Sequence, residues 1–299
     1  MTSVASPSVG RVRTLVALTK PRIVELLLAT ALPTCFLAAH GLPPLWPTVA
    51  VLVGGSLAAG SANTFNSVYD RDIDAVMPRT HNRPAARGQV SAATAVVQGF
   101  VLGLGSVVVL AFMANLLSAL LAIAAIAFYA VGYTMLLKRR TPQNIVWGGA
   151  AGCMPVLIAW AAITGGLSWT PVLLFLIVFL WTPPHYWPLA IKYREEYAAA
   201  GVPMLPVVRP LAETAKQIIW YSWAMVAASL ALIPVGGMGW LYGVGAIVLG
   251  AAFIVLAYRL RSSLADPDKT LAAAMRLFHG SISYLALLFL LVAVDPFLH

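Results

Sequence analysis

The sequence predicts an all-α integral membrane protein with nine transmembrane helices, and three observations carry that prediction. Of the 299 residues, 61% are apolar and only 10% are charged, against roughly a quarter charged in a soluble domain. Apolar stretches long enough to cross a bilayer, which takes about 20 helical residues, recur along almost the whole chain. The basic residues gather in alternate links between those stretches.

The stretches run near 20–40, 46–69, 91–113, 115–137, 143–164, 169–190, 213–235, 238–260 and 273–294. No hydrophilic block between them is large enough to form a soluble domain, so residues 1–299 are expected to form one membrane domain, with a flexible tail over about 1–12. The first stretch follows basic residues but no small-residue cleavage site comes after it, so it is expected to be a retained span. Cys35 and Cys153 both fall inside spans, and neither belongs to a metal-type cluster.

The formal charge of +9 is located before it is interpreted. Arg11, Arg13, Lys20 and Arg22 precede or open the first span, and Arg71, Arg79, Arg83 and Arg87 follow the second. Lys138, Arg139 and Arg140 follow the fourth. Lys192, Arg194, Arg209 and Lys216 lie between the sixth and seventh, and Arg259, Arg261, Lys269 and Arg276 around the last link. The links at 40–44 and 164–168 carry no Lys or Arg. The positive-inside rule therefore puts the N-terminus in the cytoplasm and the C-terminus outside. The partner implied by the charge is a lipid bilayer, not nucleic acid.

Acidic residues are few, and the densest group is Asn63-Thr-Phe-Asn66-Ser-Val-Tyr-Asp70-Arg-Asp72-Ile-Asp74. On a helix, Asn66, Asp70 and Asp74 recur every four residues and line one face. Oxygen donors stacked this way suit a hard cation such as magnesium, whose shell is completed by water and substrate phosphate oxygens. The plainer reading is a solvated helix end whose aspartates pair with Arg71 or Arg79. Asp72 faces elsewhere, as an ion-pair partner. Arg79 and Arg83 carry planar forks suited to a diphosphate, or to lipid headgroups.

A second informative stretch, Trp181-Thr-Pro-Pro-His185-Tyr-Trp187-Pro-Leu-Ala-Ile-Lys192-Tyr-Arg194-Glu195-Glu196-Tyr197, closes the sixth span. Its three prolines are expected to disturb the helix where protein or a cavity covers it. His185 is a candidate ligand or proton carrier, with a satisfied interior histidine as the alternative. Trp181 and Trp187 are also what an interfacial aromatic belt would show. Lys192, Arg194, Glu195 and Glu196 bring charge to the side of the first aspartates; taken alone they describe a solvated loop. Tyr133 with Lys138, and Asn144 with Gly148, Gly149 and Gly152, complete the set; the glycines suit close packing and Lys138 suits a diphosphate.

With these residues in hand, the chain resembles the UbiA-type membrane prenyltransferases. The resemblance is carried by Leu18-Thr-Lys-Pro-Arg-Ile-Val24, Asn66-x3-Asp70-x3-Asp74, Arg79-x3-Arg83-Pro84 and Lys138-Arg-Arg-Thr-Pro-Gln-Asn-Ile-Val146. Trp181-Thr-Pro-Pro-His185-Tyr-Trp187 and Ala200-Gly-Val-Pro-Met-Leu-Pro-Val207 look like the heme-modifying branch. The resemblance implies nine helices around a central cavity open near the cytoplasmic side. It implies an enzyme that moves the farnesyl group of farnesyl diphosphate to a vinyl group of heme b, with water added, giving heme O and diphosphate. It further implies that Asn66, Asp70 and Asp74 hold magnesium, with Glu195 and Glu196 as further oxygen donors. Arg79, Arg83, Lys138, Lys192 and Arg194 would meet the diphosphate, and His185, Arg22 and Trp187 the acceptor. A downstream heme-modifying enzyme would be a partner. Quinone-type relatives carry a second aspartate-rich motif where this chain has His185, Lys192, Glu195 and Glu196. A prenyltransferase for a quinone precursor, or a transporter of an anionic or lipid substrate, are the competing readings.

Overall fold

A computed structural model describes residues 7–298 and is helical almost throughout. The N-terminal helix α1 (Pro7–Leu18) occupies part of the stretch expected to be a tail, and residues 1–6 of that expectation lie outside the described residues. Nine helices among the described residues are long and apolar enough to cross a membrane. They are α2 (Pro21–Ala38), α3 (Leu45–Tyr69), α5 (Ala92–Met113), α6 (Leu116–Ala127, continued by a π-helix over Phe128–Leu137), α7 (Asn144–Thr164), α8 (Trp169–Lys192), α11 (Leu211–Gly236), α12 (Trp240–Ser262) and α13 (Pro267–Val294). Short helices α4 (Arg71–Val76), α9 (Arg194–Ala199) and α10 (Leu205–Val208) lie in the charged links.

The spans follow the apolar stretches to within a few residues, except that α13 starts earlier than its apolar run. Asp266 causes the difference: its carboxylate accepts from the backbone N–H of Asp268 and Lys269, with Pro267 at the first helical position. This cap extends the helix by charged turns. At the other end of the last span, buried Asp295 accepts from the N–H of Gly239 (2.6 Å) and Tyr242 (3.0 Å), satisfying donors at the start of α12.

Two modes of packing divide the bundle. Helices α7, α8, α11, α12 and α13 enclose one dense core that includes Trp187, Tyr242, Phe253 and Phe289. In lipid such packing rests on close contact and internal hydrogen bonds rather than on expulsion of water; Tyr284, Ser229 and Tyr242 supply such bonds. Helices α3 and α5 approach instead through small residues. A Cβ on Gly99 would sit 2.7 Å from the Phe65 ring, and Ser61 and Ser106 donate across to the carbonyls of Gly99 and Gly54.

Between α2, α3, the α6 end and α7 the packing opens into an apolar cavity lined by Leu27, Leu28, Val51, Ala58, Ile158 and Tyr129, among others. The break expected at Pro183, Pro184 and Pro188 does not occur: α8 runs unbroken through all three. Its neighbours α7, α11 and α13 pack along it, which is the setting in which a membrane helix tolerates proline.

Candidate active site

Helix α3 ends at Tyr69, and Asp70 is a junction residue (φ −88°, ψ 8°) before α4. The chain turns but does not leave helical register, since Asp70 N–H bonds to Asn66 O and Asp74 N–H to Asp70 O. The four-residue repeat thus survives, and Asn66, Asp70 and Asp74 are all buried. Asn66 Nδ2 donates to Asp70 Oδ2 at 2.6 Å.

Asn66 and the two aspartates each take a cationic partner. Lys138, just beyond the π-helix, donates to Asp70 Oδ2. Arg83 Nη1 donates to both oxygens of Asp74 at 2.9 Å. Lys20 donates to Asn66 Oδ1. The local pairs with Arg71 or Arg79 offered by the plainer reading of the sequence do not form. Asp72 is exposed and held by Arg139 through two 2.7 Å bonds, which keep its carboxyl down at about 2.

Lys20 is the residue the sequence reading left out of the site. It adopts the left-handed conformation (φ 53°) at the start of α2, which is uncommon for a residue with a Cβ and is associated with functional positions. The α1–α2 junction is tied to α3 by Asn63, which donates to Thr19 O at 2.9 Å. Its amine is pushed down to about 7, first by burial and then by repulsion from Arg83 and Lys138, against attraction from Asp74 and Asp70. Lys20 lies inside one of the motifs that carry the family resemblance, so the signal was present in the sequence. Asn144 is a second support: its side chain donates to Lys138 O at 3.0 Å.

The donor set suits a hard cation only in company. Asn66, Asp70 and Asp74 offer oxygen alone, and Asp70 Oδ1 is buried without a hydrogen-bond donor, with Arg139 Nη2 3.7 Å away. Among the described residues no three His, Cys, Asp or Glu side chains converge to hold a metal by themselves. Magnesium takes further oxygen ligands from water and substrate phosphates. Lys20, Lys138 and Arg83 balance the carboxylates meanwhile.

The second stretch contributes differently from expectation. Arg79 is exposed; its Nη2 donates to Tyr197 OH at 3.0 Å and its guanidinium stacks over Tyr193 and Tyr197. Tyr197 is buried, which pushes its phenol up, and it pairs with Tyr186 OH at 3.0 Å. Lys192 and Arg194 are exposed and make no ion pair with the aspartate cluster; Lys192 lies over the Tyr193 ring. The cations that reach the aspartate cluster come from other links. Glu195 is exposed and Glu196 half-buried, and no further acid joins them. Trp187 is fully buried against Tyr221. Arg22 is exposed on α2.

His185 does not line the apolar cavity. It stacks between Trp181 (4.1 Å) and Phe278 (4.8 Å), with Nδ1 2.6 Å from Ser281 Oγ. The Ser281 hydroxyl gives its only proton to Phe278 O at 2.6 Å. It can therefore only accept from Nδ1–H, which leaves Nε2 of the neutral ring as the lone-pair nitrogen.

A buried carboxylate and cation cluster beside an apolar cavity in a nine-span bundle defines a class, and the comparisons agree. Residues 27–292 match the UbiA prenyltransferase family, and the chain belongs to that family. Curated relatives include the protoheme IX farnesyltransferases of Leifsonia xyli subsp. xyli, 56% identical with 96% of this chain and 93% of the relative covered, and of Nocardioides sp., 57% identical with 95% and 90% covered. The fold is shared with a solved digeranylgeranylglyceryl phosphate synthase (TM-score 0.77, 16% identity, 97% of this chain and 100% of that one). It is also shared with a UbiA homologue from Archaeoglobus fulgidus solved with DMAPP and Mg2+ (TM-score 0.66, 18% identity, 92% and 99%).

Proposed function

We infer that the chain transfers the farnesyl group of farnesyl diphosphate to a vinyl group of heme b, with addition of water, giving heme O and diphosphate. The observation that carries the reading is the junction of two environments. Asn63 and Tyr129 line the apolar cavity, while Asn63 anchors the Lys20 junction and Tyr129 lies within electrostatic range of Asp70, Asp74 and Arg83. One compartment suits an apolar tail and the other an anionic head.

Asn66, Asp70 and Asp74 would hold Mg2+, which when bound supplies positive charge for the departing diphosphate. Lys138 and Arg83 add charge to the same leaving group from fixed positions, with the Lys20 amine as a further hydrogen-bond donor, and Arg79 is anchored by Tyr197. The apolar cavity wall keeps water from the allylic cation until the vinyl carbon has attacked. Water then adds to the cation left beside the porphyrin and loses a proton, giving the hydroxyethylfarnesyl group.

His185 is assigned to the acceptor. Its support is the Ser281 bond, which selects the tautomer with Nε2 free to meet heme iron, an arrangement common for ligating histidines. The charged end of the bundle is assigned to the cytoplasmic face of the cell membrane, with the N-terminus inside and the C-terminus outside. A downstream heme-modifying enzyme would receive the product.

The test is mass analysis of the products formed by purified protein from farnesyl diphosphate, Mg2+ and either heme b or 4-hydroxybenzoate. Farnesylated, hydrated heme is expected from the first alone. Prenylated 4-hydroxybenzoate with unchanged heme would overturn the assignment. For His185→Ala, loss of the heme absorption shift with farnesyl diphosphate binding intact is expected; the reverse pattern would move His185 out of the acceptor site.

A further inference from the structure

The structure assigns a positioning role to Thr134, through the π-helix that carries it: it sets which end of the Asn66 side-chain amide faces the metal and diphosphate. The inference rests on the metal reading of Asn66 given above. The argument begins with register. Several other threonine hydroxyls in the spans bond back to the carbonyl four residues earlier, as in Thr34 to Thr30, Thr64 to Gly60 and Thr182 to Val178, and Thr30 reaches back three, to Leu27. Thr134 instead donates to Tyr129 O, five residues earlier, at 2.8 Å. The backbone at the end of the segment shows the same interval, Lys138 N–H bonding to Tyr133 O. Such i to i+5 turns are rare and concentrate at functional sites.

The bond to Tyr129 uses the only proton of the Thr134 hydroxyl. Its oxygen can therefore only accept, and it accepts from Asn66 Nδ2 at 3.2 Å. Asp70 Oδ2, a carboxylate oxygen, also accepts from Asn66 Nδ2. With acceptors on that side, the amide nitrogen must face them, and the carbonyl Oδ1 must face Lys20. A rotation of half a turn would oppose lone pair to lone pair and remove an oxygen donor from the cation site. Asp70 Oδ2 is shared with Lys138. Thr134, fully buried, is the acceptor dedicated to the amide.

The π register makes this possible and has a second effect. It carries Thr134 to Asn66 and, four residues on, Lys138 to Asp70, so one segment of α6 meets two members of the cluster. Tyr133 lies within the same turn, its ring 5.5 Å from that of Tyr129. Thr134 touches no reacting atom in this account; it acts through Asn66.

The experiment compares Thr134→Ser with Thr134→Ala, which differ by one oxygen, and adds the isosteric Thr134→Val. Binding of Mn2+ in the presence of inorganic pyrophosphate is measured by electron paramagnetic resonance on the full-length protein in detergent. Thr134→Ser is expected to bind within about twofold of the unaltered protein. Thr134→Ala and Thr134→Val should bind about tenfold more weakly, the usual cost of losing a bond that orients a ligand. In an Asn66→Asp background, where two equivalent oxygens need no orienting, Thr134→Ala should cost nothing further. Equal binding by the Ser and Ala variants would overturn the inference, as would a full tenfold loss persisting with Asp at position 66. If the unaltered protein itself binds no Mn2+, the metal reading of Asn66 fails and this inference fails with it.

Discussion

The stretches at Asn66–Arg83 and Trp181–Tyr197 carry similar letters, acids beside bases at the charged end of a span, yet fold to different ends. In the first Asp70 and Asp74 are buried, Asp70 paired with Lys138 from the end of another span and Asp74 with Arg83 nine residues on. In the second Lys192, Arg194 and Glu195 stay exposed, and what goes inward is mainly aromatic, Trp187, Tyr197 and the stacked His185, with one oxygen of half-buried Glu196. A buried carboxylate is stable only with partners and hydrogen bonds, so the first stretch must be built into a site. An exposed charge run needs no such surroundings. Proximity in sequence to a functional motif is a weaker guide than whether the fold takes the charge out of water.

The sharpest way to break this contrast is a paired substitution in the two stretches. Asp70→Asn and Asp74→Asn should each lower farnesyl transfer by about a hundredfold or more, the scale seen when charge stabilisation of a leaving group is lost. Glu195→Gln and Arg194→Gln should stay within about threefold. Comparable losses in both stretches, measured as product formed at saturating substrate, would erase the distinction.

A smaller effect tests how the first site is shaped. A Cβ on Gly148 would lie 2.4 Å from the Tyr133 ring, so Gly148→Ala must push the π-helical turn away. A loss of about 1–3 kcal/mol is expected from such overpacking, read by thermal unfolding in detergent. Gly152 meets nothing within 4 Å, and Gly152→Ala should be neutral or stabilising by up to about 1 kcal/mol.

The pH dependence of stability isolates Lys20. Its folded value of about 7 lies below the ordinary 10.5, so between these the unfolded chain holds the proton and the folded one does not. Stability contributed by this group rises with pH across that window and is flat below it. Lys20→Met should flatten the rise; an unchanged slope would show that the amine does not titrate there. Smallest of all is Asp72→Asn, expected within about twofold in activity, since the residue is exposed and its pair with Arg139 is a surface one. The low value of Asp72, about 2, means that the stability it adds is complete above its ordinary 3.8 and is lost only as pH falls toward 2.

Much of this was legible in the chain itself. Nine spans could be marked because a bilayer demands about 20 apolar residues whatever the neighbours, and Asn66, Asp70 and Asp74 because the four-residue interval survives the junction at Asp70. What stayed hidden depends on partners far away in sequence. Nothing in Phe128–Leu137 distinguishes a π-helix from an α-helix, so Thr134 gave no signal. The prolines of α8 suggested a break because local chemistry favours one, and packing on α7, α11 and α13 prevented it. Trp187 looked like an interfacial ring and is core, a difference set by which face α8 turns to Tyr221.

The central claim, that the first stretch and not the second holds the metal and the diphosphate, has a direct test. Crystals of the protein with Mn2+ and farnesyl diphosphate would be measured at the manganese absorption edge. The expected result is an anomalous peak within coordination distance of the carboxylates of Asp70 and Asp74. A peak beside Glu195 and Glu196 with none at the aspartates would contradict the account.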